Sequence, residues 1–184
     1  RCTRMLDKLF CSPEFLIATG RSINKERMKD QYVVLRAMAF LMLHRGEFKD
    51  IPALQYRGDI DDFLARFMVY VNDNAPEKLI VDYENLFIRC MQISYDLLGE
   101  NGFRFSGNGI RRPINMPLFE ALSYLFSFVP EKIDYTWASR LILDIESVKE
   151  EFDDSRYFSG NIDSTTSVSF RFDRMDKIIN RIQL

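Results

Sequence analysis

The stretch VVLRAMAFLML, from Val33 to Leu43, decides the fold class of this chain. Its apolar residues surround a helix instead of forming one stripe, which is typical of a helix buried on all sides. The predicted helix runs from Glu26 to His44, and Gly46 ends it. We therefore expect a central helix around which the other helices pack.

Helix signals also dominate the sequence on both sides of this stretch. Ser12, Asp59, Asn115 and Asp134 each occupy a typical N-cap position before an apolar repeat of helical period. Residues 101–113, NGFRFSGNGIRRP, form a Gly/Arg-rich loop between two predicted helices. Because no run predicts a convincing strand, the sequence predicts one all-α domain over residues 1–184, a bundle of about six or seven helices.

Composition and charge limit the classes of protein to which this chain can belong. The 184 residues are 47% hydrophobic and 28% charged, which is typical of a globular domain. The balance of 25 basic and 27 acidic residues, a net charge of −2, argues against a histone-like nucleic-acid binder but allows a local basic patch. No apolar run is long enough to predict a membrane-spanning helix. The chain opens without an initiator Met, so we expect it to be part of a longer protein.

Few side chains suited to catalysis or metal binding are present. The chain has three Cys and one His, with no C-x-x-C pair, so the sequence predicts no catalytic residue, no metal site, no cofactor and a reducing, cytoplasmic environment. His44 lies in the last turn of the central helix, where we expect a protonated cap. The Glu146…Lys149 pair resembles a nuclease metal motif, but without a supporting strand we interpret it as a solvated helix face.

Arg36 interrupts the apolar run of the central helix. A buried guanidinium without a partner is very unfavourable, so Arg36 either pairs with a carboxylate of another helix or points into a groove. We expect the buried ion pair. The alternative has Arg36 contacting an anionic ligand or a neighbouring domain.

The Gly/Arg-rich loop contains the candidate nucleic-acid contacts. Arg104, Arg111 and Arg112 alternate with Phe103, Phe105 and glycines, a pattern that can bind phosphates and stack on bases. Loops of this kind also pack their Phe residues and leave the arginines in solvent. The last helix adds four cations that we expect on a solvated face, because acidic residues lie among them: Arg171, Arg174, Lys177 and Arg181.

Five segments carry a family resemblance, namely PEFLIATG (residues 13–20), RMKDQYVVLRAMAF (27–40), GDIDDFLARFMVYVN (58–72), INMPLFEAL (114–122) and TTSVSFRFDRMDKI (165–178). In this order they resemble a large bacterial family that has an N-terminal ParB/sulfiredoxin-like domain and includes the GmrSD-type, modification-dependent restriction systems. They span nearly the whole chain, although most of the matching residues are helix-packing residues. The resemblance implies the helical C-terminal part of the family's first domain.

The chain departs from the family at the residues that carry chemistry. The Asp-Gly-Gln-Gln-Arg motif of the family's nucleotide-handling site does not occur, and Tyr32 stands where an acid is usual. The single His44 excludes an HNH-type nuclease within this segment. The resemblance therefore places any nucleotidase or nuclease activity in the domain that this chain lacks, and no catalytic residue carries over.

Two functions follow as expectations. The first is a non-enzymatic helical module of a DNA-related, restriction or phage-defence protein, which supports the ParB-like domain of the same protein and contacts DNA through Arg104, Arg111 and Arg112. The second is a structural or oligomerisation scaffold without a nucleic-acid role. Neither involves a membrane, and a homo-oligomer is compatible with both.

Overall fold

A computed structural model describes residues 1–23, 29–106, 111–132, 134–155, 157 and 160–182. Residues 26–28 of the predicted central helix and residues 107–110 of the Gly/Arg-rich loop lie outside this description.

The described residues form eight α-helices and no strand, which confirms the predicted all-α fold. Two short 3-10 turns, Pro52–Leu54 and Gly99–Asn101, lie between helices. The helices are α1 (Cys2–Phe10), α2 (Pro13–Ala18), α3 (Lys29–His44), α4 (Ile60–Asp73), α5 (Glu77–Leu98), α6 (Met116–Phe126), α7 (Tyr135–Asp153) and α8 (Thr165–Ile182).

Hydrogen bonds confirm the four predicted N-caps. The side chains of Asp59, Asn115 and Asp134 accept the backbone N–H three residues later, at 3.0, 2.9 and 2.7 Å respectively. Ser12 does the same for Phe15 at 3.3 Å. These bonds satisfy N–H groups that have no partner within the helix, and they fix where α2, α4, α6 and α7 begin.

Helix α1 is the one that the sequence did not predict. Its N-cap residue, Arg1, makes no side-chain capping bond, so the sequence offers no start signal. Packing stabilises the helix instead, because Cys2, Met5, Leu6 and Leu9 are buried along one face.

Two helices, not one, occupy the centre of the bundle. Every residue of α3 from Val33 to Met42 is buried, as predicted for the central helix. Helix α6 is enclosed in the same way, since every residue from Pro117 to Phe126 is buried. Helix α6 packs against α3, α5 and α8, and α7 packs against α8 on the outside. The sequence did not predict this central position, because polar residues interrupt the apolar pattern of α6.

No helix in the described part of the chain is both long and apolar enough to cross a membrane.

Candidate nucleic-acid interface

The Gly/Arg-rich loop starts where α5 ends. Gly99 adopts a positive φ of 61° and is the first residue of the 3-10 turn Gly99–Asn101. The N–H of Asn115, the N-cap of α6, donates to the carbonyl of Phe103 at 3.0 Å, which ties the two ends of the loop together. The described loop residues therefore sit in a fixed position beside α2 and α7.

The two Phe residues of the loop do not offer a stacking surface. Phe103 is buried, with its ring centroid 4.3 Å from that of Phe119. Phe105 is also buried, and the Arg112 guanidinium lies 5.4 Å from its ring centroid. Base stacking on these rings, one of the two alternatives for this loop, is therefore excluded, and the Phe residues pack as core.

Arg104 is a structural clamp, and the expectation that it contacts a phosphate backbone is wrong. Its exposed fraction is only 4%. Its guanidinium donates to the carbonyls of Thr19 at 3.1 Å and Glu100 at 3.3 Å, and also to the Arg112 carbonyl and the Ser22 hydroxyl. These bonds join the loop to the end of α2. They occupy the Arg104 guanidinium, so it does not offer its N–H groups to a phosphate.

Arg111 and Arg112 remain accessible, with side chains 43% and 41% exposed. Arg111 pairs with Glu100 at 2.9 Å, and Arg112 pairs with Asp153 at the end of α7. Gly20 makes room for the first pair, because a Cβ at this position would overlap the Arg111 guanidinium and lie 2.8 Å from a Glu100 carboxylate oxygen. The site thus keeps two of its three predicted arginines.

Glu100, Arg111 and Arg112 line an open cleft of about 640 Å³. A residue that the sequence analysis assigned to a solvated face, Lys149 of α7, also lines it with an exposed fraction of 5%. The ionisable residues of the cleft are Glu100, Arg104, Arg111, Arg112, Glu146 and Lys149. A buried lysine could have been suspected from the sequence, because Lys149 follows Ile145 and Val148 at helical spacing on the inner face of α7.

Arg36 lies elsewhere, in the middle of the bundle, and forms a buried ion pair. Its Nε donates to Glu120 of α6 at 2.5 Å, and its Nη2 donates to Asp163, just before α8, at 2.6 Å. The second oxygen of Glu120 pairs with Arg171 of α8 at 3.0 Å. Burial lowers the pKa of Arg36, but the charges of Glu120 and Asp163 outweigh it, so the pKa of Arg36 is raised and the guanidinium stays protonated. We call Arg36, Glu120, Asp163 and Arg171 the core ion cluster.

The core ion cluster corrects the assignment of Arg171 to a solvated face. Arg171 is fully buried, with Glu120 beside it. The spacing of Arg171 indicates this burial, because Arg171 lies three residues after Val168 and four before Met175, and both lie on the apolar stripe of α8. Glu120 carried the same signal as Arg36, namely a single charge within an apolar run.

His44 is a neutral, stacked residue, and the expectation of a protonated helix cap is wrong. Its ring stacks on Phe172 with centroids 3.5 Å apart and an interplanar angle of 9°. Burial, together with the charge of Arg171, lowers the pKa of His44 to about 3. Within the described part of the chain, no group of three or more His, Cys, Asp or Glu could hold a metal ion.

Comparisons with known proteins add no relative. No family model matches the chain, and neither a curated protein nor a solved structure matches it. The family resemblance of the sequence therefore stays a prediction.

Proposed function

We propose that this chain is a non-enzymatic helical module of a DNA-related bacterial protein of the restriction or phage-defence type. It supports a ParB-like domain of the same protein and contacts the DNA backbone through Arg111 and Arg112. The observation that carries the DNA contact is the position of these two arginines. They are adjacent in sequence, exposed at one cleft, and each is held by a carboxylate that is itself accessible.

The exposed ion pairs favour exchange with phosphate. Pairs such as Arg111–Glu100 contribute on the order of 0–1 kcal/mol, because both charges stay partly hydrated. A phosphate can replace the carboxylate as the guanidinium's partner and accept two N–H groups of the guanidinium at once. The exchange therefore requires little energy from the protein.

Arg104 has an indirect role in the proposed DNA contact, because it does not touch the DNA but fixes the loop that does. Its guanidinium holds the Arg112 carbonyl and the end of α2, so the backbone beside the exposed arginines is fixed. A fixed backbone reduces the conformational entropy lost when DNA binds. The resulting contact positions the duplex without selecting a sequence, because phosphates carry no sequence information.

The experiment is a salt titration of duplex binding, followed by fluorescence anisotropy of a labelled duplex. For the wild type, the logarithm of the affinity falls linearly with the logarithm of salt from about 50 to about 200 mM. Changing both Arg111 and Arg112 to Ala lowers the slope by about 1.8, since each phosphate contact contributes about 0.9.

The matched control removes two arginines outside the cleft, Arg4 of α1 and Arg57 before α4, both of which are exposed. This double Ala variant changes the net charge by the same amount as the test variant. It should keep the wild-type slope. Equal slopes for the wild type and the Arg111/Arg112 variant contradict the proposed DNA contact.

A scaffold or oligomerisation role is the second candidate, and an apolar groove favours it. The groove has a volume of about 550 Å³ and is lined by Leu54 and by Ala65, Val69 and Tyr70 of α4. Val69 is 57% exposed. If a second copy of the chain covers this groove, sedimentation shows concentration-dependent dimers that Val69→Asp abolishes. A monomer at all concentrations excludes oligomerisation through this groove.

A further inference from the structure

Lys149 is a buried cation with two hydrogen-bond acceptors among the described residues. It lies on α7 and lines the cleft with an exposed fraction of 5%. Its ammonium contacts the Glu146 carboxylate at 3.0 Å and the Asn101 carbonyl at 3.3 Å. Because an ammonium group has three N–H donors, these two contacts leave one donor that an acceptor in the cleft can use.

Three cations of the cleft are anchored to two consecutive residues. Arg104 donates to the Glu100 carbonyl at 3.3 Å, and Arg111 donates to the Glu100 carboxylate at 2.9 Å. Lys149 donates to the carbonyl of the next residue, Asn101. The turn Gly99–Asn101 therefore brings together positive charges from the loop and from α7.

The charges that line the cleft do not balance. Among the described residues that line the cleft, four cationic side chains face two carboxylates, Glu100 and Glu146. Asp153, which pairs with Arg112 at the edge of the cleft, leaves an excess of one positive charge. Burial lowers the pKa of Arg104, and the positive charge of Arg111 lowers it further. A bound anion reduces this repulsion.

We propose that the cleft binds a phosphate group, with Lys149 as the buried ligand and with Arg111 and Arg112 as the exposed ones. A phosphate has enough acceptor oxygens to bond all three side chains at once, whereas a carboxylate offers two oxygens. The inference deepens the proposed function and partly rests on it, since there the phosphate belongs to a DNA backbone. A free phosphate-bearing small molecule has the same chemistry.

The test uses inorganic phosphate and pyrophosphate as probes, without DNA. Isothermal titration calorimetry at constant ionic strength, with chloride replaced by the probe, measures binding to the wild type and to Lys149→Met. Met keeps most of the buried aliphatic volume and removes the charge. We expect saturable binding to the wild type and a loss of at least about tenfold in Lys149→Met, the effect of one charged hydrogen bond.

Lys78→Met is the matched control. Lys78 pairs with Asp82 on the same helix, as Lys149 does with Glu146, but its side chain is 85% exposed on α5. Its loss should leave phosphate binding unchanged. Far-ultraviolet circular dichroism checks that Lys149→Met is folded. If it is not, Arg111→Ala, which removes an exposed ligand, replaces it with the same expected direction of effect.

The outcomes separate this inference from the proposed function. Phosphate that binds and displaces the duplex identifies the site as a backbone contact. Phosphate that binds while the duplex does not bind leaves the inference standing, removes the DNA function and indicates a small phosphate-bearing ligand. Absence of saturable phosphate binding to the wild type, or equal affinities for the wild type and Lys149→Met, overturns the inference.

Discussion

The core ion cluster and the cleft contain the same kinds of side chain in opposite charge balance. In the core ion cluster two arginines meet two carboxylates, all of them with partners inside the protein. In the described part of the cleft four cations face Glu100 and Glu146 along an open surface, and Asp153 pairs with Arg112 at the edge. The first arrangement is balanced without a ligand, whereas the second keeps an excess of one positive charge, which favours binding of an anion.

The two regions show how an arginine in an apolar or aromatic sequence context can be assigned to a structural or a binding role. Arg36 and Arg104 are both buried, and both hold distant segments together. Arg111 and Arg112 are the only arginines of the described cleft that a large ligand can reach without unfolding the loop. Burial and charge balance therefore separate structural from binding residues better than residue type does.

The largest expected effect is the loss of Glu120. In Glu120→Ala two buried guanidinium groups lose the carboxylate that they share, and we expect the free energy of unfolding to fall by about 3–5 kcal/mol. Urea unfolding followed by circular dichroism measures it. Glu100→Ala is the matched change in the cleft, where the carboxylate is 53% exposed and its partner Arg111 is 43% exposed, and it should cost less than about 1 kcal/mol. Equal losses in both variants would contradict the contrast between the two regions.

The next effect separates charge from volume at Arg36. Arg36→Ala removes the ion pair and leaves a cavity in the core, whereas Arg36→Met loses the pair but refills the space. Since Arg171 still pairs with Glu120 in both, we expect Arg36→Met to be more stable than Arg36→Ala by about 1–3 kcal/mol. Urea unfolding midpoints test this. Identical midpoints would mean that volume does not matter at this position.

A pH-dependent effect follows from His44, because burial and then the charge of Arg171 lower its pKa to about 3. The folded protein keeps His44 neutral, while the unfolded chain binds a proton below about pH 6.5. Stability is therefore greatest above pH 6.5 and falls by about 1.4 kcal/mol per pH unit below it, or about 2 kcal/mol at pH 5. Unfolding in urea at pH 7, 6 and 5 measures the slope.

The control for this effect is His44→Leu. His44 is the only histidine of the chain, so the variant has no group with an ordinary pKa between 5 and 6.5. The slope in that interval should disappear. A wild-type slope that survives the substitution would assign the pH dependence to the carboxylates.

The smallest expected effect on stability belongs to the cleft. Changing both Arg111 and Arg112 to Ala breaks two exposed ion pairs, and we expect a loss of less than about 1 kcal/mol in the free energy of unfolding. Thermal unfolding by calorimetry measures it. A larger loss would show that the two arginines hold the loop as Arg104 does, and would remove the distinction between clamp and binding residues.

The sequence predicts the helices well where the signals are local. Asp59, Asn115 and Asp134 start helices because a side-chain oxygen reaches an N–H only three residues away. Helix α1 lacks such a signal and depends on packing against distant helices, which one sequence does not reveal. The same limit explains why α6 was not recognised as a second central helix.

The site is predictable only in part, for a related reason. A lone charge in an apolar run, as at Arg36, indicates a buried pair, but its partner Glu120 comes from a helix 84 residues away. Arg104 lies in a glycine-rich loop, where exposure is the usual expectation, and its burial depends on Thr19 and Ser22 at the end of α2. The burial of Lys149 has a local signal in its spacing from Ile145, but the acidic residues around it in sequence favoured a solvated face.

Glu120 also bears on the order in which the chain assembles. Its carboxylate contacts arginines of α3 and α8, so α6 buries this charge with both partners only after all three helices have docked. A partly folded state without α8 holds a desolvated carboxylate with one partner missing, which makes that state unfavourable. Amide protons of α3, α6 and α8 should therefore exchange with solvent in one cooperative opening, and a chain shortened before α8 should lose its native tertiary packing.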